Sequence, residues 1–166
     1  MSTEGTTPTG TPEAPPAPAP AGVTVVGHDD STDSDYALTT ALRLADQLHA
    51  PAPVVRAWCI DTASRWANWE FGCVSSFAEY SDAVRAALIE DTASSGSPFP
   101  QVSIGYRALH SGPARSLIEV SQEARTILVG SRSRGGLVGP LLGSVSDQCA
   151  RPAVCPVPVT RRRPGR

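Results

Sequence analysis

What most restricts the fold of this chain is an alternation. Short runs of β-branched and aliphatic residues recur along it, and between them lie stretches whose apolar residues repeat at helical spacing. Residues 23–26 read as a first strand. From Asp33 or Ser34 a helix is predicted to about His49, with Ala37, Leu38, Ala41, Leu42, Ala45 and Leu48 facing the sheet. Pro51 and Pro53 interrupt the chain before a second strand at 54–60. Strand, helix, strand in that order implies a parallel pair with a right-handed crossover. A helix is predicted over 77–90, with Phe77, Tyr80, Val84, Ala87 and Leu88 on one side. A turn-rich link at 92–98 and a third strand at 101–109 follow. Gly112 and Pro113 open another helix, ending near Glu123; residues 126–129 form a fourth strand. A last helix runs from about Ser144 to the Arg151-Pro152 pair, and a fifth strand spans 154–160. The segment 61–72, with Trp66 and Trp69, reads as a loop or short helix over the sheet edge. Five strands alternating with four helices indicate an open α/β sheet covered on both faces.

In such sheets ligands sit beyond the carboxyl ends of the strands, where the strand order switches. Two loops belong to that edge. The first is Gly27-His28-Asp29-Asp30-Ser31. The second runs from Gly130 through Ser131, Arg132, Ser133 and Arg134 to Gly143-Ser144-Val145-Ser146, where a helix begins. A strand, a glycine-rich loop and a helix start together suit an anion, because the first-turn amides have no intrahelical acceptor and the helix dipole favours negative charge there. Gly130 and Gly143 are expected to turn the backbone tightly and leave room for a ligand. The Ser144 and Ser146 hydroxyls are expected to donate to phosphate oxygens, and Arg132 and Arg134 to add charge. Across the cleft, Asp29 is placed to accept from a ribose hydroxyl or an adenine amine, or to hold a metal ion bridging phosphates. A plainer reading has the glycines serving only tight turns and Asp29 only capping the first helix. It accounts for each residue singly but not for their convergence.

Composition removes several other classes. The 166 residues suffice for one domain with a real core. A formal charge of −2 gives no electrostatic case for nucleic acid or an anionic membrane. All 14 basic residues are arginine, which together with abundant Ala, Pro and Gly looks like a coding bias, so arginine says less about function than usual. No run approaches the roughly 20 apolar residues of a membrane helix. The first ten residues lack the basic and apolar regions of a secretory signal. The 4 cysteines, Cys59, Cys73, Cys149 and Cys155, follow no metal or disulfide spacing and read as buried thiols in a reducing cytoplasm. Residues 1–21 are rich in Pro, Ala and Thr and read as a disordered tail ahead of a domain at 22–161; 162–166 form a short basic tail.

At the two loops the residues carry a resemblance, which extends over about 23–161. The stretch VVGHDDS is similar to the strand-one signature of the universal stress protein family: a hydrophobic pair, Gly, any residue, Asp, Gly and Ser. Asp29 and Ser31 match, while Asp30 stands where glycine is usual. The C-terminal stretch ILVGSRSRGGLVGPLLGSVSDQCARPAVCPVPVTR is the more specific match, down to the helix start Gly-Ser-Val-Ser and the Cys-Pro-Val that opens the last strand. The resemblance implies an open, Rossmann-like sheet of five parallel strands in the order 3-2-1-4-5, homodimerisation through the last strand at 154–160, and, in one branch, ATP binding. That branch is marked by Gly, two residues, Gly, nine residues, then Gly and Ser or Thr. Gly130, Gly143 and Ser144 fill this pattern; Ser133 replaces the middle glycine. Asp29 matches the family's adenosine-contacting aspartate, and Ala57 the position whose backbone meets adenine. Pro158 removes one ladder donor from the pairing strand.

The expected function is therefore a cytoplasmic homodimer that binds ATP, with Mg²⁺ on its phosphates, through Asp29, Ala57, Gly130, Ser131, Arg132, Ser133, Gly143, Ser144, Val145 and Ser146, and that regulates a protein partner in a stress response. The alternatives are a nucleotide-free dimer serving only as an interaction module and, ranked lower, a slow ATPase. The sequence has no GxxxxGKS, HExxH, GxSxG or GxGxxG arrangement. His28, His49 and His110 read as surface or turn residues, and no catalytic residue is identified.

Overall fold

The computed structural model describes residues 23–59, 76–132 and 143–162. The tail at 1–21, the Trp66–Trp69 region and Ser133 lie outside them. Five parallel strands, β1 (Thr24–Gly27), β2 (Val54–Trp58), β3 (Tyr106–His110), β4 (Thr126–Gly130) and β5 (Val159–Thr160), form one sheet in the order β3-β2-β1-β4-β5. Helices α1 (Thr32–Leu48), α2 (Phe77–Gly96), α3 (Pro113–Ser121) and α4 (Ser144–Ala150) alternate with them, as the sequence predicts.

Strand parity divides the core into two layers. Val26, Val54 and Leu128 point to the face covered by α1 and α2, where they meet Leu38, Leu42 and Leu88. Val25, Val55, Ile127 and Val129 point to the other face, against Leu117 and Val120 of α3 and Cys149 of α4. Alternate residues are buried on both sides, which explains why these strands read as unbroken apolar runs.

Several boundaries differ from the sequence-based expectation. Helix α1 starts at a capping box in which the Ser31 hydroxyl accepts from the Ser34 amide, and it ends at His49, which turns left-handed at φ 50°. Leu48 is 57% exposed instead of facing the sheet, because 17 helical residues outrun a four-residue strand and the last turn overhangs it. Helix α2 absorbs most of the expected link at 92–98. Thr92 is buried on the core side with its hydroxyl donating to the Leu88 carbonyl, and no proline intervenes before Pro98. Phe77, placed by the sequence on one side with Val84 and Leu88, is 55% exposed while those two are buried. β2 stops at Trp58, and β3 begins only at Tyr106; residues before it turn, with the Val102 amide bonded to the Phe99 carbonyl.

β5 is the largest difference, two residues where seven are expected. The carbonyls of Pro156, Pro158 and Thr160 accept from the amides of Ile127, Val129 and Ser131. Even-numbered residues thus face β4, and two of them are prolines with no amide to return, so a two-way ladder forms only at the end.

Gly130 carries the tightest packing. A Cβ built there would stand 2.7 Å from the Asp33 carbonyl carbon and 2.8 Å from the Ser34 amide nitrogen, both backbone atoms. Gly130→Ala is therefore expected to destabilise the protein by about 1–3 kcal/mol in urea unfolding. Gly105→Ala, with nothing within 4 Å of the new methyl, is expected to stay within about 0.5 kcal/mol.

Candidate functional site

The loop after β1 is held by its own side chains. Asp29 Oδ1 accepts from the Ser31 amide at 3.2 Å and from the Ser31 hydroxyl at 2.6 Å. The same hydroxyl lies 3.1 Å from the Arg132 carbonyl, which joins the two loops across the cleft. Asp30 has φ 64°, a left-handed conformation that glycine takes without strain, so the glycine usual at this position has a backbone cause.

His28 is not the surface residue the sequence suggests; it is 3% exposed. Its Nδ1 lies 2.9 Å from Arg56 Nη2, and its Nε2 lies 3.0 Å from Asp35 Oδ1. A guanidinium can only donate, so Nδ1 is the acceptor and the proton sits on Nε2, donating to Asp35. Burial pushes the imidazole pKa below its ordinary value; the hydrogen bond to Asp35 opposes this and the Arg56 charge adds to it.

The loop after β4 is organised around Ser131. Its amide donates to the Thr160 carbonyl at 2.7 Å, and its carbonyl accepts from the Gly143 amide at 2.8 Å. Its buried hydroxyl donates to Asp33 Oδ2 at 2.6 Å and accepts from Arg161 Nε at 3.2 Å. A Cβ on Gly143 would stand 2.7 Å from the Ser131 carbonyl oxygen. Where a side chain would stand, the space at Gly130 and Gly143 is thus taken by the protein's own backbone. Gly143, at the N-cap of α4, brings no side chain to cap the helix start. The Ser146 hydroxyl donates back to the Gly143 carbonyl at 2.9 Å, so it has no proton left for a phosphate.

Between the two loops lies a cavity of about 300 Å³. Val55, Ala57, Leu117 and Val129 give it an apolar floor, and Asp29, Ser34, Arg132 and Ser144 a polar rim. Of the expected site residues, Asp29, Ala57, Gly130, Arg132, Gly143, Ser144, Val145 and Ser146 line this one cavity. Ser131 does not line it but braces the loop from behind, and Ser133 is not among the described residues. Trp58, Cys59, Pro113 and Leu117 also line it and were not among the expected residues; His28, in the loop expected to border the pocket, lines it too. Strand parity along β2, which sets Cys59 beside Val55 and Ala57, and the position of α3 after β3 are signals that could have found Cys59, Pro113 and Leu117; Trp58 has the opposite parity and packs against Val84.

The buried histidine predicts an acid limit to stability. An unfolded histidine titrates near 6.5 and the folded one lower, so between those values the unfolded chain binds more protons and stability falls as pH drops. The urea midpoint is expected to decline as pH falls below about 6.5, and to decline less in His28→Gln, compared at matched pH values.

Comparison with known proteins agrees with this architecture. The model of the universal stress protein family matches residues 23–161. A universal stress protein of Mycobacterium tuberculosis is 34% identical over 137 residues, which cover 82% of this chain and 44% of the relative. One from Mycolicibacterium smegmatis is 32% identical over 141 residues, covering 84% and 45%. The chain thus spans less than half the length of these relatives. Among solved structures, a universal stress protein in complex with cAMP superposes with a TM-score of 0.60 at 23% identity, over 86% of this chain and 98% of that one. An Archaeoglobus fulgidus universal stress protein in complex with dAMP gives 0.55 at 17% identity, over 84% and 97%. With its sheet order, its two loops and a family match over the whole of the described fold, the chain belongs to the universal stress protein family.

Proposed function

We propose that this protein binds an adenine nucleotide, ATP in the first instance, and acts as a homodimeric regulator in a stress response rather than as an enzyme. The observation that carries this is the convergence of an apolar floor, a carboxylate at Asp29 and the uncapped start of α4 on one cavity at the switch point of the sheet. The floor of Val55, Ala57, Leu117 and Val129 suits a flat heterocycle. Asp29 spends Oδ1 on its own turn and keeps Oδ2 for a sugar hydroxyl or an amine. With the Ser131 and Ser146 hydroxyls engaged, phosphates would rest on the amides of residues 144–146, the Ser144 hydroxyl and Arg132. Any Mg²⁺ would arrive on the phosphates, since no cluster of three or more His, Cys, Asp or Glu among the described residues is placed to hold a metal ion. The nucleotides bound by two solved relatives, cAMP and dAMP, support the class of ligand.

The edge of the sheet supports the dimer. Because Pro156 and Pro158 face β4, their missing amides lie on the inner side. Cys155, Val157 and Val159 have the opposite parity, so their amides and carbonyls face away from β4, where a second copy can pair. Pro158 therefore does not obstruct that pairing. We place the protein in the cytoplasm as part of the same proposal; no helix among the described residues is long and apolar enough to cross a membrane.

Denaturing the purified protein and assaying the supernatant for nucleotide, then titrating ATP with and without Mg²⁺, tests the proposal directly. No released nucleotide and no binding at about millimolar ATP would sink it, a millimolar constant being only about 4 kcal/mol of affinity. Ser144→Glu is the informative variant: an acid in a helix's first turn favours the helix but repels a phosphate. It is expected to weaken ATP at least about tenfold, or 1.4 kcal/mol, and adenosine much less. Val157→Pro, which deletes an outward amide, is expected to shift the protein toward monomer in sedimentation while leaving the sheet's inner ladder intact. ATP turnover that survives repurification and is lost in Asp29→Asn would favour an enzyme instead.

A further inference from the structure

Arg56 is an unusual residue for the middle of a parallel sheet. It lies on β2, 1% exposed, on the face covered by α1 and α2, next in parity to the core residues Val54 and Trp58. A buried guanidinium costs several kcal/mol in lost hydration unless its geometry and hydrogen bonds compensate, and an apolar residue of similar volume is often no worse for stability. Its contacts show where the fork is directed. Nη1 meets Asp91 Oδ2 of α2 at 2.7 Å. Nη2 meets His28 Nδ1 at 2.9 Å, and Nε lies 3.4 Å from the His28 carbonyl. The guanidinium thus grips both the backbone and the ring of the residue that precedes Asp29.

The imidazole passes this constraint onward. Its Nδ1, kept unprotonated by Arg56, also faces the Asp30 amide at 3.4 Å, at the left-handed residue of the turn. Its Nε2 proton goes to Asp35 in the first turn of α1. The charged groups around His28 are therefore Asp35 of α1, Arg56 of β2, Asp91 of α2 behind that arginine, and Asp29 and Asp30 of its own loop. The other tautomer would turn a ring N–H toward the guanidinium and the Asp30 amide, lose both of those hydrogen bonds, and set the Nε2 lone pair against the Asp35 carboxylate. The His28–Ser31 turn as observed requires one tautomer; Asp35, whose side chain is 48% exposed, favours it from the wet side, and the buried Arg56 is the partner that water cannot replace.

We propose that Arg56, anchored by Asp91, is the positioning residue of the nucleotide site: it locks His28 as the Nε2–H tautomer and so fixes the turn that presents Asp29 to the cavity. Arg56 does not line the cavity itself. The inference rests on the adenine-nucleotide reading for its effect on affinity, and on the observed hydrogen bonds alone for its effect on the imidazole.

The test uses the full chain with ¹⁵N-labelled histidine. Long-range ¹H–¹⁵N correlation at neutral pH reports the tautomer of each ring, and loss of one set of signals in His28→Gln assigns His28. In the unmodified protein His28 is expected as pure Nε2–H. Arg56→Met keeps the bulk and removes the donors; it is expected to mix the tautomers and weaken ATP at least tenfold. Arg56→Gln restores one donor without charge and is expected to recover the Nε2–H tautomer and bring affinity back to within threefold. Rescue by a neutral donor separates positioning from general electrostatics. A His28 that is Nδ1–H or cationic in the unmodified protein overturns the inference even if no variant folds. So does an Arg56→Met protein that unfolds cooperatively yet keeps wild-type affinity, or that loses affinity with the His28 signals unchanged. Absence of ATP binding by the unmodified protein, with His28 in the Nε2–H form, overturns the nucleotide reading and the affinity claim together; ATP binding with His28 in another form overturns this inference alone.

Discussion

The carboxyl edge of this sheet depends on how closely β4 approaches the first turn of α1. Gly130 sits against the backbone of Asp33 and Ser34 with no space for a methyl group. That approach lets the next residue, Ser131, do three things at once: reach Asp33 with its hydroxyl, take the Thr160 carbonyl with its amide, and receive the Gly143 amide on its carbonyl. One residue therefore sets the height of α1, the start of α4 and the end of β5 relative to one another. The cavity is the space left between these fixed points. A looser approach would need a different loop, and Asp29 and the start of α4 would no longer border one cavity.

The polar residues of this edge serve the same end. Most are short and hydroxylic, and most bond to loop backbone: Ser31 to Arg132, Ser34 to Ser31, Ser146 to Gly143. The Arg132 carbonyl gains a partner in this way, while the Ser31 and Gly143 carbonyls also take the amides of Asp35 and Asp147. Arg56 differs in that it reaches a ring and a carbonyl from another strand. It acts at longer range than the serines, which accounts for a large cation where a valine would pack.

Much of this fold was legible in the sequence, and the parts that were not have physical causes. The order and type of all five strands and four helices follow from hydrophobic period, and the bounds of α1 and α4 from their caps and breakers. β5 was overestimated because hydrophobicity does not record that Pro156 and Pro158 spend their missing amides on β4. Helix α2 was underestimated because serine and alanine near its end look like a linker until Thr92 is seen to face the core. At the site, eight of the ten expected residues converge on one cavity, since loop positions at strand ends are fixed by topology. Side-chain direction is not fixed in that way. Nothing in the pattern says that Ser131 points away from the cavity or that His28 turns inward to Arg56; both depend on contacts between residues far apart in the chain.

The glycines change their meaning in this light. A motif of spaced glycines before a helix invites the view that each one clears space for phosphate. At Gly130 and Gly143 the space is already filled, by the backbone of α1 in one case and by the Ser131 carbonyl in the other. What the two glycines secure is the distance between strand end and helix start, and with it the direction in which the first amides of α4 point. In this chain the loop pattern is then a matter of backbone packing at Gly130 and Gly143. A chain can retain that packing, and keep the pattern at these two positions, whether or not its helix start is used. Among the described residues the packing leaves over one oxygen of Asp29, the Ser144 hydroxyl and the first amides of α4, and these are the groups that a ligand would meet.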